Sequence, residues 1–305
     1  MTEASAGRRA AVLGHPIAHS LSPVLHRAAY AALGLDSWRY DAVDVTEEQL
    51  PAFLESLTGE WAGLSLTMPL KQSVIGLLDH IEPLAEVVGA VNTVLVQAGR
   101  GRPVLTGANT DVYGIVTALG EALGPGPVAS VRRTAAVLGG GATAASTLAA
   151  LAQLGCTTPV VYVRSLGRIG GLMRAAHRMG VEPRYVSSDT AAHEITSADL
   201  VVSTLPPHAA DPVAAQLAAS ASEHGAVEPH GVLLDVAYDP RPTALAAAWT
   251  RAGGVVVGGE RMLLHQAAEQ VRLMTGRAGP VDAMSAALAE ALEQGSAHEA
   301  LAPRP

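Results

Sequence analysis

The chain has 305 residues, enough for two domains of ordinary size, and its 49% hydrophobic content with only 3% aromatics and many alanines and glycines suits close packing of helices on sheets. A formal charge of −8 argues against nucleic acid or an anionic membrane as partner, since both demand a basic face. One cysteine, Cys156, excludes an internal disulfide, no run approaches the roughly 18 apolar residues of a membrane span, and the start of the chain lacks the apolar stretch of a signal peptide, so a cytoplasmic protein is expected, taken as a monomer or homodimer.

Short β-like runs alternate with alanine-rich helical stretches along the whole chain, the pattern of an α/β fold built on mostly parallel sheet. Strands are expected over residues 10–14, 38–45, 61–67, 92–97 and 103–106, with helices beginning near Pro23, Thr46, Leu70 and Pro83. After Asp111 a helix leads to Gly124-Pro125-Gly126-Pro127, a stiff break that reads as a domain boundary. A second series then predicts a doubly wound, Rossmann-type unit. Its strands are expected over 134–138, 159–163, 200–203, 232–236 and 254–257, and its helices over 142–154 and 167–179. Helices near 261–275 and 281–293 close the chain, and 295–305 reads as a frayed tail. The polar residues of the 261–275 helix echo the first series, which predicts its return to the first domain. The expected division is therefore residues 1–112 plus 260–305 around an open α/β sheet, with 113–259 inserted as the nucleotide domain.

Within this frame Lys71 stands out, as the only lysine among 20 basic residues. An arginine stays protonated in any protein, whereas an ammonium can exchange its proton within reach of working pH. Lys71 ends the run Gly63-Leu64-Ser65-Leu66-Thr67-Met68-Pro69-Leu70-Lys71, so its amine emerges at a strand-to-helix corner. It is a candidate acid/base group; a chance surface lysine in an arginine-rich chain is the competing reading.

Ala136-Val137-Leu138-Gly139-Gly140-Gly141-Ala142-Thr143-Ala144 offers G-x-G-x-x-A directly after a strand and at the mouth of a helix. Glycines there permit a tight turn and let backbone amides approach a pyrophosphate at the positive end of the helix. The second strand of this unit ends about 20 residues on, the usual spacing. There an NAD site carries an acidic residue for the ribose hydroxyls, but this chain has Arg164-Ser165 with Arg168 one turn later, and no acidic residue between Gly139 and Gly180. Two guanidiniums and a hydroxyl suit a 2′-phosphate, which favours NADP. Two arginines on a solvated helix start are the alternative.

Ser20 and Ser22, in His15-Pro16-Ile17-Ala18-His19-Ser20-Leu21-Ser22-Pro23, precede a helix and can either cap it or bind a carboxylate beside its first amides. Asn92 and Asp111 are equally ambiguous alone, as a turn residue and a helix cap. Both lie at the ends of predicted strands, where open α/β sheets form ligand crevices. The eleven histidines show no ligand pattern, so no metal is expected.

In chain order these segments resemble the shikimate dehydrogenase family: Ser20-Leu21-Ser22-Pro23, Thr67-Met68-Pro69-Leu70-Lys71, Gly89-Ala90-Val91-Asn92-Thr93, Asn109-Thr110-Asp111, the glycine turn, Asp235-Val236-Ala237-Tyr238-Asp239-Pro240 with Thr243, and Gly259-Glu260-Arg261-Met262-Leu263-Leu264-His265-Gln266-Ala267. The resemblance implies reduction of 3-dehydroshikimate to shikimate with NADPH, a step in making aromatic amino acids. It implies that Ser20 and Ser22 bind the substrate carboxylate, and that Thr67, Asn92, Asp111, Tyr238 and Gln266 ring the hydroxyls and reacting carbonyl. Lys71 and Asp111 would be the catalytic pair. Gly139, Gly140, Gly141, Ala142, Arg164, Ser165 and Arg168 would hold the cofactor, with Gly259 and Met262 presenting backbone to the nicotinamide. Ser65 departs from the family's usual asparagine, and Val163 from the asparagine that commonly precedes the arginine. An NAD-using quinate/shikimate dehydrogenase, an enzyme for a related cyclohexene carboxylate, and a non-catalytic ligand-binding paralogue remain as alternatives.

Overall fold

The computed structural model describes residues 7–124, 133–223, 229 and 231–301. The chain divides into two units, Met1–Ala85, Val91–Thr110 and Leu264–Pro305 forming one, Glu86–Ala90 and Asp111–Leu263 the other. Each is built on its own six-stranded sheet.

The first unit contains β1 (Arg9–Gly14), α1 (Ser22–Ala32), β2 (Arg39–Asp44), α2 (Leu50–Glu55), β3 (Trp61–Leu66), α3 (Leu70–Ser73) and β4 (His80–Ile81). α4 (Pro83–Val88) straddles the division, and β5 (Thr93–Gln97) and β6 (Val104–Ala108) complete the sheet in the order β2-β1-β3-β5-β6-β4. β1 and β3 read as near-continuous apolar runs because both of their faces are covered. Leu13, Leu64, Leu66 and Val94 fill one side; Ala10, Val12, Tyr30 and Tyr40 fill the other. β1 is parallel to β2 and β3, but β5 runs antiparallel to both β3 and β6. This reversal matters for function. It sets the start of β5 beside the ends of β3 and β6, with Thr93 opposite Ser65 on one side and Ala108 on the other. The segments after β1, β3 and β6 and before β5 therefore emerge at one edge of the sheet.

The second unit follows as α5 (Asp111–Leu123), β7 (Ala135–Leu138), α6 (Ala142–Gln153), β8 (Val160–Val163), α7 (Gly170–Met179), β9 (Arg184–Ser187), α8 (Ala191–Glu194), β10 (Leu200–Ser203), α9 (Asp211–Glu223), β11 (Val232–Asp235), α10 (Ala244–Arg251) and β12 (Val255–Gly258). All its strands are parallel, ordered β12-β11-β10-β7-β8-β9. The chain thus winds outward from β7 in one direction and returns to wind outward from β10 in the other, the doubly wound arrangement whose reversal point lies between β7 and β10. Alternate residues of β7 serve opposite faces, Ala135 and Val137 joining one core and Ala136 and Leu138 the other. α11 (Gly259–Thr275) begins in this unit and from Leu264 belongs to the first, as does α12 (Val281–Leu301), which packs on α1.

Several expectations are corrected. α12 continues through Leu301 instead of ending before Gly295, because alanine, leucine and glutamate flank that glycine and its cost of about 1 kcal/mol does not outweigh them. The helix expected from 167 starts at Gly170 after a 3₁₀ turn at Leu166–Arg168, since Gly167, Gly170 and Gly171 weaken helix initiation. β4, β9, α8, α9 and α10 are additions to the expected elements; the two strands are short and become strands by pairing with β6 and β8. Pro125, Gly126 and Pro127, the expected break, lie outside the described residues.

Candidate active site

The sheet edge of the first unit gathers most of the polar residues singled out by sequence. Ser20, after β1, accepts the backbone N–H of Ser22 at 3.3 Å, a cap-like contact at a helix start where Pro23 has no N–H to offer. Ser22 is nearly buried. Thr67 follows β3 and donates its backbone N–H to Leu13 at 2.9 Å, which ties this corner to β1. Lys71 lies in the first turn of α3, half-buried, and its carbonyl accepts the N–H of Val91 at 2.8 Å. That bond fixes the Lys71 backbone next to the residue preceding Asn92.

Asn92 is 1% exposed, and each of its polar atoms is used. Its Oδ1 accepts the Thr110 N–H at 2.7 Å and the Thr93 hydroxyl at 3.0 Å, while its Nδ2 donates to Thr110 Oγ1 at 2.9 Å and to Gln266 Oε1 at 2.8 Å. A buried amide with these four bonds has no rotational freedom. Gln266, half-buried on α11, keeps its amide nitrogen for other acceptors. Asp111 follows Thr110 directly, fully buried in the first turn of α5, where a carboxylate complements the helix dipole.

In the second unit the expected residues stand at the carboxyl ends of the strands. Gly139 adopts φ +114, and an added Cβ would run into Thr204 Oγ1, which itself donates to the Leu138 carbonyl at 2.9 Å. Only glycine allows that approach. Gly141 precedes α6 and has no side chain to cap it, so the first amides of the helix, Ala142 among them, are suited to an anionic ligand. The side chains of Val163 and Ile169 lie beside Gly140, which puts the 164–168 turn along the rim of the glycine loop. Arg164, Ser165 and Arg168 are exposed there. Bare amides for a pyrophosphate, two guanidiniums and a hydroxyl for a further phosphate, and no intervening carboxylate fit NADP.

Tyr238 lies half-buried between β11 and α10, and burial, with Asp239 adding to it, pushes its phenol above the ordinary range. Its loop is braced by the nearly buried Asp235, which accepts the Thr243 hydroxyl at 2.6 Å and the Ala237 N–H at 3.4 Å. Thr243 in turn caps α10 by accepting the Ala246 N–H at 3.1 Å. Gly259, after β12, sits where an added Cβ would meet the Val236 carbonyl. Met262 is 6% exposed with its side chain in the core, so what this turn can offer a ligand is backbone.

Sequence reasoning misses the partners that hold these groups. Thr110 and Thr93 secure Asn92, and His26, Tyr40 and Gln270 form a buried polar cluster behind them. The signal available is helical spacing: Gln270 follows Gln266 by four residues and His26 follows Ser22 by four, so each pair shares a helix face.

The pattern of the shikimate dehydrogenase substrate binding domain matches residues 12–94, and that of the shikimate 5′-dehydrogenase C-terminal domain matches residues 259–289. The chain is 33% identical over 290 residues to the shikimate dehydrogenase (NADP(+)) of Methanothermobacter thermautotrophicus, covering 93% of this chain and 96% of that protein. The crystal structure of Mycobacterium tuberculosis shikimate dehydrogenase superposes with a TM-score of 0.78 at 38% identity, over 93% of this chain and 99% of that one. Shikimate 5-dehydrogenase from Thermus thermophilus, in complex with NADP(H) and shikimate, gives 0.75 at 33% identity over 93% and 99%. Shared along nearly its full length, at this identity and with this fold, the sequence belongs to the shikimate dehydrogenase family.

Proposed function

We propose that this protein catalyses the reversible reduction of 3-dehydroshikimate to shikimate with NADPH, in aromatic amino acid biosynthesis. The observation that carries the reading is the 2.8 Å Asn92–Gln266 amide pair at the sheet edge where Thr67 and Lys71 emerge, a ready-made set of groups for a polyhydroxylated ring. Ser20 and Ser22 donate hydroxyl bonds to the substrate carboxylate. Thr67, Asn92, Asp111, Tyr238 and Gln266 surround the ring hydroxyls and the reacting carbonyl.

NADPH, when bound, supplies the hydride. Gly139, Gly140, Gly141 and Ala142 hold its pyrophosphate, Arg164, Ser165 and Arg168 its 2′-phosphate, and Gly259 and Met262 its nicotinamide through backbone. Lys71 supplies the proton. As the carbonyl carbon is reduced, negative charge builds on its oxygen, and the ammonium first stabilises that charge and then transfers H⁺ to it. An arginine would offer the charge but keep the proton. Asp111 orients the amine. In reverse, the neutral amine of Lys71 accepts the proton of the shikimate hydroxyl.

In this reading residues 1–112 with 260–305 bind the substrate and 113–259 bind NADP. The chain's −8 charge supports action on a small molecule and not on nucleic acid, and the reading includes a cytoplasmic enzyme, monomer or homodimer. Among the described residues no helix is long and apolar enough to cross a membrane. The test is a spectrophotometric assay of shikimate-dependent NADP reduction beside the same assay with quinate and with NAD. The expected result is turnover with shikimate and NADP well above either substitution; binding without turnover would overturn the reading.

A further inference from the structure

One turn beyond Gln266 on α11, Gln270 is 3% exposed and meets three other segments. Its Oε1 accepts the Ser65 hydroxyl at 2.9 Å and the Nε2 hydrogen of His26 at 3.2 Å. Its Nε2 donates to Thr93 Oγ1 at 3.2 Å and, at 3.5 Å, to the carbonyl of Asn92. That carbonyl can only accept and therefore dictates which end of the Gln270 amide faces it. The remaining directions follow. Thr93, having accepted from Gln270, donates onward to Asn92 Oδ1 at 3.0 Å. On the other side Ser65, having donated to Gln270, accepts the Tyr40 hydroxyl at 2.6 Å. Tyr40 also stacks flat on His26, ring centroids 3.9 Å apart. None of these hub groups is at the surface: Ser65 is 4% exposed, Thr93 and His26 are 0%.

We propose that Gln270 is a positioning residue for substrate binding: without touching the substrate, its amide orients Asn92, directly and through Thr93, and through Asn92 it orients Gln266, so that these hydroxyl-binding groups are held at one spacing. The proposal rests on the assignment of Asn92 and Gln266 to the shikimate site. A buried hub of this kind is sensitive because losing it leaves donors and acceptors on both sides unpaired, and they re-pair by rotating.

The test is steady-state kinetics of Gln270→Leu, Ser65→Ala and the double variant with shikimate and NADP, alongside thermal unfolding. The KM for shikimate is expected to rise about tenfold in Gln270→Leu, with the KM for NADP held within about twofold. Ser65→Ala should move the same parameter by less, and the double variant should be no worse than Gln270→Leu, since Ser65 acts through Gln270. A lowered unfolding midpoint with an unmoved KM for shikimate, or equal rises in both KM values, would overturn the proposal. Should Gln270→Leu fail to fold, Gln270→Glu decides together with Ser65→Ala. The carboxylate keeps the acceptor and loses both donated bonds, so unchanged KM for shikimate in these two variants also refutes the hub. A wild-type protein without shikimate-dependent NADP reduction would refute the underlying assignment, whereas an active wild type with unmoved variants refutes the hub alone.

Discussion

Lys71 and Asn92 show how differently single residues can be read. Lys71 is conspicuous because the chain uses arginine at every other basic position, and the chemistry of an exchangeable proton gives that exception a meaning before any fold is known. Replacing it with arginine is expected to lower kcat by about 10²-fold or more while the KM for shikimate changes by no more than about threefold, the signature of a lost proton donor with charge retained. Stopped-flow and steady-state rates at saturating shikimate check this, and a variant with wild-type turnover would remove the acid role. Asn92 is ambiguous in the sequence, where a turn residue is as good a reading. Its bonds run to Thr110, 18 residues on, and Gln266, 174 residues on, distances at which the chain carries no local trace of a contact. Ser20 reads as either a cap or a ligand group; in the fold Leu21 takes the N-cap position with no side-chain cap, and Ser20 makes only a 3.3 Å contact with the Ser22 N–H.

At the level of elements, the β7–α6 glycine turn is legible because all its requirements are local: a strand, a turn that only glycine can make, and a helix start. The turn after β8 is its partner, placed beside it by Val163 and Ile169. If Arg164 and Arg168 hold the 2′-phosphate, the Arg164→Ala/Arg168→Ala variant should raise the KM for NADP by about tenfold to a hundredfold, the worth of one to two charge-assisted hydrogen bonds at a wet site, and leave the KM for NAD unchanged. Parallel loss toward NAD would instead indicate damage to the turn. Elements that escape sequence reading, such as β9, lack strong periodicity and owe their conformation to the neighbouring strand, here through the pairing of Val161 with Tyr185. The end of α12 escapes it for the opposite reason, since a single glycine suggests a stop that the helix formers on either side override.

For the molecule as a whole, the cluster around His26 ties distant parts of the first unit together and makes a prediction about pH. Burial lowers the His26 pKa from 6.5 to about 4, with the Gln270 hydrogen bond opposing more weakly. The folded form therefore binds a proton less readily than the unfolded one. Its contribution is complete above about pH 6.5 and is lost as pH falls toward 4, at roughly 1.4 kcal/mol for each pH unit across that window. Urea unfolding at pH 7.5 and pH 5 should show this loss in the wild type and a smaller one in His26→Phe, which retains the stacking on Tyr40 but cannot be protonated. Equal losses in the two proteins would mean that His26 is charged in the fold.

The amino-acid sequence by itself determined the alternation of strands and helices, the glycine loop with its arginine-bearing neighbour, and the polar residues at strand ends. Each of these depends on periodicity or on side chains within a few positions of one another. Only the tertiary structure decided that β5 reverses direction and so brings Asn92 to the edge where Thr67 and Lys71 emerge, and that one glutamine amide meets Ser65 and His26 from 205 and 244 residues away. The physical reason is that such contacts are selected by burial and by the need to satisfy every enclosed donor and acceptor, conditions that exist only once the chain has closed on itself.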